Sequence, residues 1–598
     1  MKGGTTSGVV YPPAIKLIGD AYRLRSVGGS SAGAMAAAIA VAAEYRRQTS
    51  PNRDDTSGFA EVAALSDELG ADLTRFLQPS KELAPLYDAF ITLQLKQQED
   101  DKPTLFQIAK AVLPKLKLYW KKPLRNGALI SGGSVVAGIV GIALPWTIFG
   151  IGVGVIWAVV QLATIIISRI TGHLKANDFG VIPGTTQPGQ GDGKTPGISD
   201  WLADRIDMIA GIWKDGPPDT PLRLEDLRHG RDGQTRDTDE VPGIDLAAMT
   251  TDLTSQRPYS LPFKFPDLYY FNPEEMMKLI PKRIVDYMVD HGRVSKKVGP
   301  GGKALYPVPV GDAFPVVLSA RMSLSFPLLL QAVPLYRWDE AGKGAPSWVR
   351  CLFSDGGISS NLPVHFFDAW LPRRPTFAIS LGQFDKNRHS EDTDRVEFIQ
   401  GIRNRLNLPV QGVSGLVPFL LAIFNTAKDW QDKLQSEVPG MYERVVTVRL
   451  EPHQGGSNIT MKEKDISLLR GYGERAGHKL VNEFDFDENR WRRATCLLPQ
   501  LQEMLPRVHD AVKKHRGGPN GWTFEELARE YRSPYYPNSA EWSANVLTPA
   551  LLELAELGRK IKERPKVAGK TPAYDASLRL VASSDLTQSS AAPAGRIV

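Results

Sequence analysis

Residues 26–45 read SVGGSSAGAMAAAIAVAAEY. Inside this stretch, Gly29-Ser30-Ser31-Ala32-Gly33 falls between a strand pattern over Ala21–Val27 and a strong helix-forming run over Ala34–Ala43. Strand, sharp turn and helix is the context in which G-x-S-x-G acts as a nucleophile elbow. The turn drives Ser31 into a strained backbone, and Gly29 and Gly33 remove side chains that would clash. The hydroxyl then stands at a helix N-terminus, where the backbone dipole favours developing negative charge. The stretch therefore predicts an α/β fold with Ser31 as candidate nucleophile.

Two further signals extend the pattern outward. Residues 3–8, Gly3-Gly4-Thr5-Thr6-Ser7-Gly8, form a glycine-rich turn able to aim backbone N–H groups at an oxyanion. Loops of this kind normally follow a strand, and no residues stand before this one to build it. Phe353-Ser354-Asp355-Gly356-Gly357 closes a hydrophobic strand. A carboxylate at Asp355 could serve as general base for a serine hydroxyl within reach.

Composition limits the alternatives. The chain has 598 residues, 42% of them hydrophobic and 23% charged, which excludes wholesale disorder and fibrous repeats. Lys and Arg number 72 against 66 acidic residues, a net of +6, too weak to argue for nucleic-acid binding. Two cysteines, Cys351 and Cys496, exclude a disulfide scaffold and a cysteine-rich metal site. No H-E-x-x-H, EF-hand loop or paired Cys/His site is present, so neither metal nor cofactor is expected. Gly193-Lys194-Thr195 does not complete a P-loop, because Pro188 stands where that motif needs glycine.

A mean hydropathy of −0.22 suits a water-soluble body, yet the average hides one unlike block. From Asn126 to Ser168 there are 43 residues without a charge, bracketed by Arg125 and Arg169. A bilayer core needs about 20 helical residues, so the block is about two spans long. Pro145 near its centre would break a helix. Basic residues at both ends place those ends on the cytoplasmic side. The block predicts a transmembrane hairpin anchoring the enzyme to a bilayer, with a buried helix pair as the alternative.

Other strands are expected at Trp348–Phe353, Thr376–Leu381 and Arg444–Leu450. Asn272 to Glu275 reads as a capped helix start with Glu275 closing a capping box, and Pro281 interrupts the helix that follows. A linker is expected over 180–197 and a solvated loop over 223–240. Late helices fit 463–484, 487–515, 523–532 and 549–563. The tail from 566 to 598 reads as disordered.

Together, the glycine loop, the G-x-S-x-G and the Asp-Gly-Gly, in that order, resemble the patatin-like phospholipase family. Ile244–Thr254 is similar to a strand of that family, and Ala320 to Pro327 to its A-S-x-x-x-P stretch. Asn361 and Pro363 follow the Asp-Gly-Gly as they do there. The resemblance covers roughly residues 1–80 and 240–385. It implies a three-layer α/β/α sandwich, interrupted by the membrane-hairpin insertion and followed by C-terminal helices. It divides the chain into a first part of the hydrolase domain (1–90), the insertion (91–240), the second part (241–485), a helical region (486–565) and the tail. It implies a Ser31–Asp355 dyad without histidine, an oxyanion hole from Gly3, Gly4 and Thr5, and an Asp-Gly-Gly turn at Gly356 and Gly357. The implied function is a phospholipase A-type acyl hydrolase at a membrane, with phospholipid or another acyl lipid as substrate. Thr5 replaces a third glycine of the family pattern and Ser7 a basic residue, for which Lys2 could substitute. A fold-retaining scaffold without catalysis, and a serine hydrolase acting on another ester or thioester, stay open.

Overall fold

The computed structural model describes residues 1–99 (without 5, 53, 72), 167–340 (without 190–194, 232–242) and 345–400 (without 388, 391–393). It also describes 440–513 (without 456, 457), 521–532, 540–565 and isolated positions between 107 and 164 and between 413 and 426. The fold is mixed α/β. In chain order the strands are β1 (Ser26–Gly29), β2 (Gly180–Ile182), β3 (Asp245–Asp252), β4 (Arg257–Leu261), β5 (Tyr270–Phe271) and β6 (Tyr306–Pro307). They continue with β7 (Leu328–Leu330), β8 (Val333–Asp339), β9 (Ser347–Asp355), β10 (Ala378–Gln383), β11 (Val396–Phe398) and β12 (Val445–Leu450).

Strand β3 organises the main sheet. Residues 248–252 pair antiparallel with β4 along one edge. The opposite edge is divided between two strands. Residues 245–248 pair parallel with β1, and residues 250–252 pair antiparallel with β9. Strands β1 and β9 thus run toward each other along one edge. Gly29 lies opposite Ala248 and Asp355 opposite Thr250, so their C-terminal ends stop two residues apart, about 7 Å. Strand β9 also pairs with β8, which leads to β5 and β6. A second sheet has the order β10-β12-β11, and β2 pairs parallel with β7.

Residues 1–3 join the two larger sheets. The Met1 amine donates to Gly28 O at 2.8 Å and Ser30 N–H to Met1 O at 3.3 Å, a parallel ladder on β1. On the other side, Lys2 N–H donates to Ile379 O of β10 at 3.1 Å.

Helix α1 (Tyr11–Ala21) leads into β1, and α2 (Ala32–Thr49) follows the elbow. Alanine dominates α2 because it is the strongest helix former and is small enough to be buried on every side. The helix packs on β1, β3 and α3 (Ser57–Ala71). Its two buried charges, Glu44 and Arg47, pair with each other. Arg47 also donates to the carbonyls of Gly19 and Tyr22, and Glu44 accepts Leu24 N–H. This network closes the C-terminus of α1. It explains why the helix runs through Ala21 and the strand starts only at Ser26, later than the expected Ala21–Val27. After α4 (Ala84–Glu99), helices α5 (Ile198–Ile209) and α6 (Leu224–His229) contribute Trp201, Leu202, Ile206, Leu224 and Leu227 to the same hydrophobic core.

The structure departs from expectation at several other points. Residues 180–182 are strand rather than linker, because a Cβ at Gly180 would meet the Gln331 backbone at 2.2 Å and the pairing with β7 is that close. Residues 224–229 are helix rather than solvated loop, since Arg223 and Asp226 form a capping box and Leu224 and Leu227 are buried. The helix after Asn272 splits into α7 (Pro273–Met276) and α8 (Lys282–Asp290) around Pro281. Asn272 caps the first, but the Glu275 carboxylate turns to Tyr336 OH and Lys303 Nζ. Helix α9 (Val316–Ser323) lies against α2 and β3.

The later helices fall close to the expected ranges: α10 (Glu463–Asn482), α11 (Phe486–Lys513), α12 (Phe524–Glu530) and α13 (Thr548–Lys562). Helix α10 packs on α1 with Gly473 against Val10 O. Among the described residues no helix is long and apolar enough to cross a membrane. The stretch 126–168 lies outside the described residues apart from Thr164, Ile167 and Ser168, and the tail 566–598 lies outside them entirely.

The Glu44–Arg47 pair generates a prediction. Arg47→Met leaves Glu44 buried without its cation and costs about 3–5 kcal/mol of stability. Burial already holds the Glu44 carboxyl above its ordinary range, despite the opposing pull of Arg47. Without Arg47 that shift grows, and a carboxyl raised in the fold loses stability as pH rises through its folded pKa. Urea unfolding should therefore show a larger deficit for Arg47→Met at pH 8 than at pH 5.

Candidate active site

The elbow forms as the sequence indicates. Ser31 has φ 53° and ψ −127°, a left-handed conformation costly for any residue with a side chain. Gly29 and Gly33 touch across the turn: a Cβ at Gly29 would sit 2.3 Å from the Gly33 carbonyl. A Cβ at Gly33 would sit 2.3 Å from Met1 O, so the second glycine makes room for the N-terminal segment. Ser31 is the N-cap of the 18-residue α2, and its N–H donates to Ser323 Oγ at 3.0 Å.

Three segments meet around Ser31. A Cβ at Gly3 would lie 3.0 Å from Ser31 Cβ, which places the N-terminal loop beside the nucleophile candidate. A Cβ at Gly356 would lie 2.8 Å from Ser30 Oγ and 2.0 Å from Met249 O, which places the Asp-Gly-Gly turn at the junction of β1 and β9. Asp355, at the end of β9, accepts Gly357 N–H on Oδ1 at 2.7 Å. Thr251 Oγ1 donates to the Asp355 carbonyl at 3.0 Å. Ser31 and Asp355 are only 3% and 4% exposed, so both candidate residues are buried.

The N-terminal loop assembles in part. Gly3 N–H donates to Asn361 O at 2.8 Å. That amide is engaged within the fold, which corrects the expectation of Gly3 as an oxyanion donor. Gly3 instead keeps the passage open, since a Cβ there would strike Asn361 Oδ1 at 2.3 Å. Asn361 Oδ1 also lies 2.9 Å from where a Cβ of Gly357 would be, so one side chain spaces the loop from the turn. Gly4 N–H makes no hydrogen bond among the described residues, and Thr5 lies outside them. The chain then turns through Ser7–Val10 into α1. Lys2 Nζ donates to Leu381 O at 2.8 Å.

Sequence reading assigns no role to Ser323, Ser325 or Arg321. Arg321 is fully buried, and burial pushes its pKa down to about 10. It donates to Ser325 Oγ, Pro183 O and Gln331 O at 2.7, 2.8 and 2.9 Å. Ser325 O in turn accepts Asp355 N–H at 3.0 Å and Ser354 Oγ at 2.9 Å. One buried guanidinium thereby holds the backbone that carries Asp355. No periodicity marks these serines; the resemblance of Ala320 to Pro327 to a family stretch, and Arg321 in an apolar helix, are the signals that point to them.

Two apolar features lie elsewhere among the described residues. Phe179 and Leu328 are exposed, with φ of 59° and 65°, and are brought together by the Gly180–Leu328 pairing of β2 and β7. A cleft of about 280 Å³ opens beside Thr6, lined by Leu69, Leu73, Ile91, Leu95 and Met461.

If the Ser31 backbone stores strain, Ser31→Gly relieves it. Thermal unfolding should show Ser31→Gly more stable than wild type by about 1–3 kcal/mol. Equal or lower stability would mean that the turn is unstrained.

Among known proteins, the chain is 32% identical over 560 residues to a protein of Rhizobium meliloti (strain 1021) named RpoH suppressor, spanning 84% of this chain and 85% of that one. No family model matches the chain.

Proposed function

The chain belongs to the family of the RpoH suppressor of Rhizobium meliloti (strain 1021), and from its candidate site we propose that it is a patatin-like Ser–Asp hydrolase acting on acyl lipids. The observation that carries this reading is the convergence of the strained Ser31, the end of β9 at Asp355 and the N-terminal glycine loop on one edge of β3. In this reading Ser31 Oγ attacks an ester carbonyl while Asp355 takes its proton. The Gly4 N–H supplies a donor to the oxyanion, and the N-terminus of α2 favours the developing charge. The alcohol leaves with the proton, water attacks the acyl-enzyme, and Ser31 is restored with release of the fatty acid.

An acyl-lipid substrate fits the apolar cleft beside Thr6 and the exposed Phe179 and Leu328. It also fits a membrane anchor at residues 126–168, which would hold the enzyme on the cytoplasmic face next to a two-dimensional substrate. A scaffold of the same fold is the second reading, favoured by the near-complete burial of Ser31.

Hydrolysis of phospholipid vesicles, read as released fatty acid, tests the first reading. Wild type should release it. Ser31→Ala should abolish release, and Asp355→Asn should lower the rate by about 10²–10⁴-fold. Folded wild type with no release from phospholipid or simple acyl esters would favour the scaffold. For the anchor, deletion of 126–168 should move the protein from the membrane to the supernatant fraction. Wild type found in the supernatant would refute it.

A further inference from the structure

Residues 368–375 read DAWLPRRP. Trp370 and Leu371 are 58% and 60% exposed, two large apolar residues side by side at the surface. Arg373 and Arg374, also exposed, follow at once. Single exposed apolar residues are ordinary. This pair differs because the backbone beneath it is gripped from inside. Asp368 Oδ1 accepts Arg444 Nη2 at 3.1 Å and Arg493 Nη2 at 2.7 Å. Arg493 also donates to Ala369 O, and through Nε to Gly440 O at 2.9 Å. Both arginines are buried. Pro372 and Pro375 restrict the backbone beyond the tip. The exposed Trp-Leu step thus stands on a stiff backbone, and little ordering entropy is left to lose when it is covered.

The charge around the tip narrows what covers it. The cleft beside it is bounded by Arg23, Arg25, Arg373 and Arg374, and no acidic residue lines it. Arg23 pairs with Asp54 at 3.1 Å, whereas Arg373 forms no ion pair among the described residues. Tryptophan settles at the headgroup level of a bilayer, leucine enters the acyl boundary, and arginines beside them attract anionic lipid. All three are present within five residues.

The tip is also tied to the candidate site. Asn361 O accepts the Gly3 N–H, and the Phe367 ring lies 2.9 Å from where a Cβ of Gly28 would be. Residues 361–368 therefore connect the tip to the glycine loop and to the strand that leads into Ser31.

We propose that residues 369–374 form a docking tip that seats on an anionic bilayer surface, clamped to the body by Arg444 and Arg493 through Asp368. The inference rests on the acyl-lipid reading and deepens it, by naming the surface charge that brings the candidate site to its substrate. It is a contact separate from residues 126–168.

A local probe on the full chain tests it. Leu371→Cys, in a Cys496→Ala background, is labelled with an environment-sensitive fluorophore. The labelled protein is titrated with vesicles of phosphatidylcholine alone or of an equimolar mixture with phosphatidylserine. The mixed vesicles should shift the emission to the blue, and a spin-labelled lipid should quench it. Adding Arg373→Glu and Arg374→Glu should raise the lipid concentration at half response by about tenfold or more. Ser31→Ala should respond as the parent does, which separates docking from hydrolysis. No response to the mixed vesicles, even where the protein sediments with them, would overturn the lipid surface as occupant and leave the tip to a protein partner. An equal response to neutral vesicles, or one unchanged by the two charge reversals, would overturn docking directed by charge.

Discussion

One edge of β3 carries two strands that approach from opposite directions. The site depends on that arrangement. Ser31 and Asp355 are 324 residues apart in the chain. They become neighbours because β1 ends opposite Ala248 and β9 ends opposite Thr250. A one-residue slip of either strand would turn every side chain to the other face. The register is held by burial, with Ala248, Thr250 and Asp252 packed inside, and by Thr250 and Thr251 bonding to the Ser354 and Asp355 carbonyls. The stretch between the two halves is free to vary in length so long as both ends return to β3.

The junction is tight because small residues line it. Gly3, Gly29, Gly33 and Gly356 each stand where a Cβ would strike a neighbour at 2.0–2.3 Å. These contacts bring the N-terminal segment, the elbow and the Asp-Gly-Gly turn within van der Waals reach. Around them the buried polar groups are bonded into the frame: Ser323 to the Ser31 amide, Arg321 through Ser325 to the Asp355 backbone. The frame holds an unfavourable backbone at Ser31 by the combined packing of α2, α9 and β9.

Much of this was legible in the sequence where a local rule applied. The elbow needs particular residues at fixed spacing, and Gly29, Ser31 and Gly33 supply them. The late helices follow their apolar period and were placed to within a few residues. Misreadings came where tertiary contacts overrode local signals. Arg47 holds α1 helical through Ala21 from 26 residues away. Leu328 and Gln331 convert a Gly/Pro-rich stretch at Gly180 into a strand. Glu275 abandons its local amide for Tyr336 and Lys303. The engagement of Gly3 N–H by Asn361 O depends on a contact across 358 residues and has no sequence signature.

In the proposed hydrolase, Ser31 is an activated nucleophile and not merely the cap of α2. Treatment of the intact protein with a fluorophosphonate, followed by peptide mass spectrometry, tests it directly. A Ser31–Asp355 pair should give a single covalent adduct on Ser31, formed far more slowly in Asp355→Asn. An unmodified Ser31 in folded, full-length protein, or an adduct unaffected by loss of the Asp355 carboxylate, would contradict it.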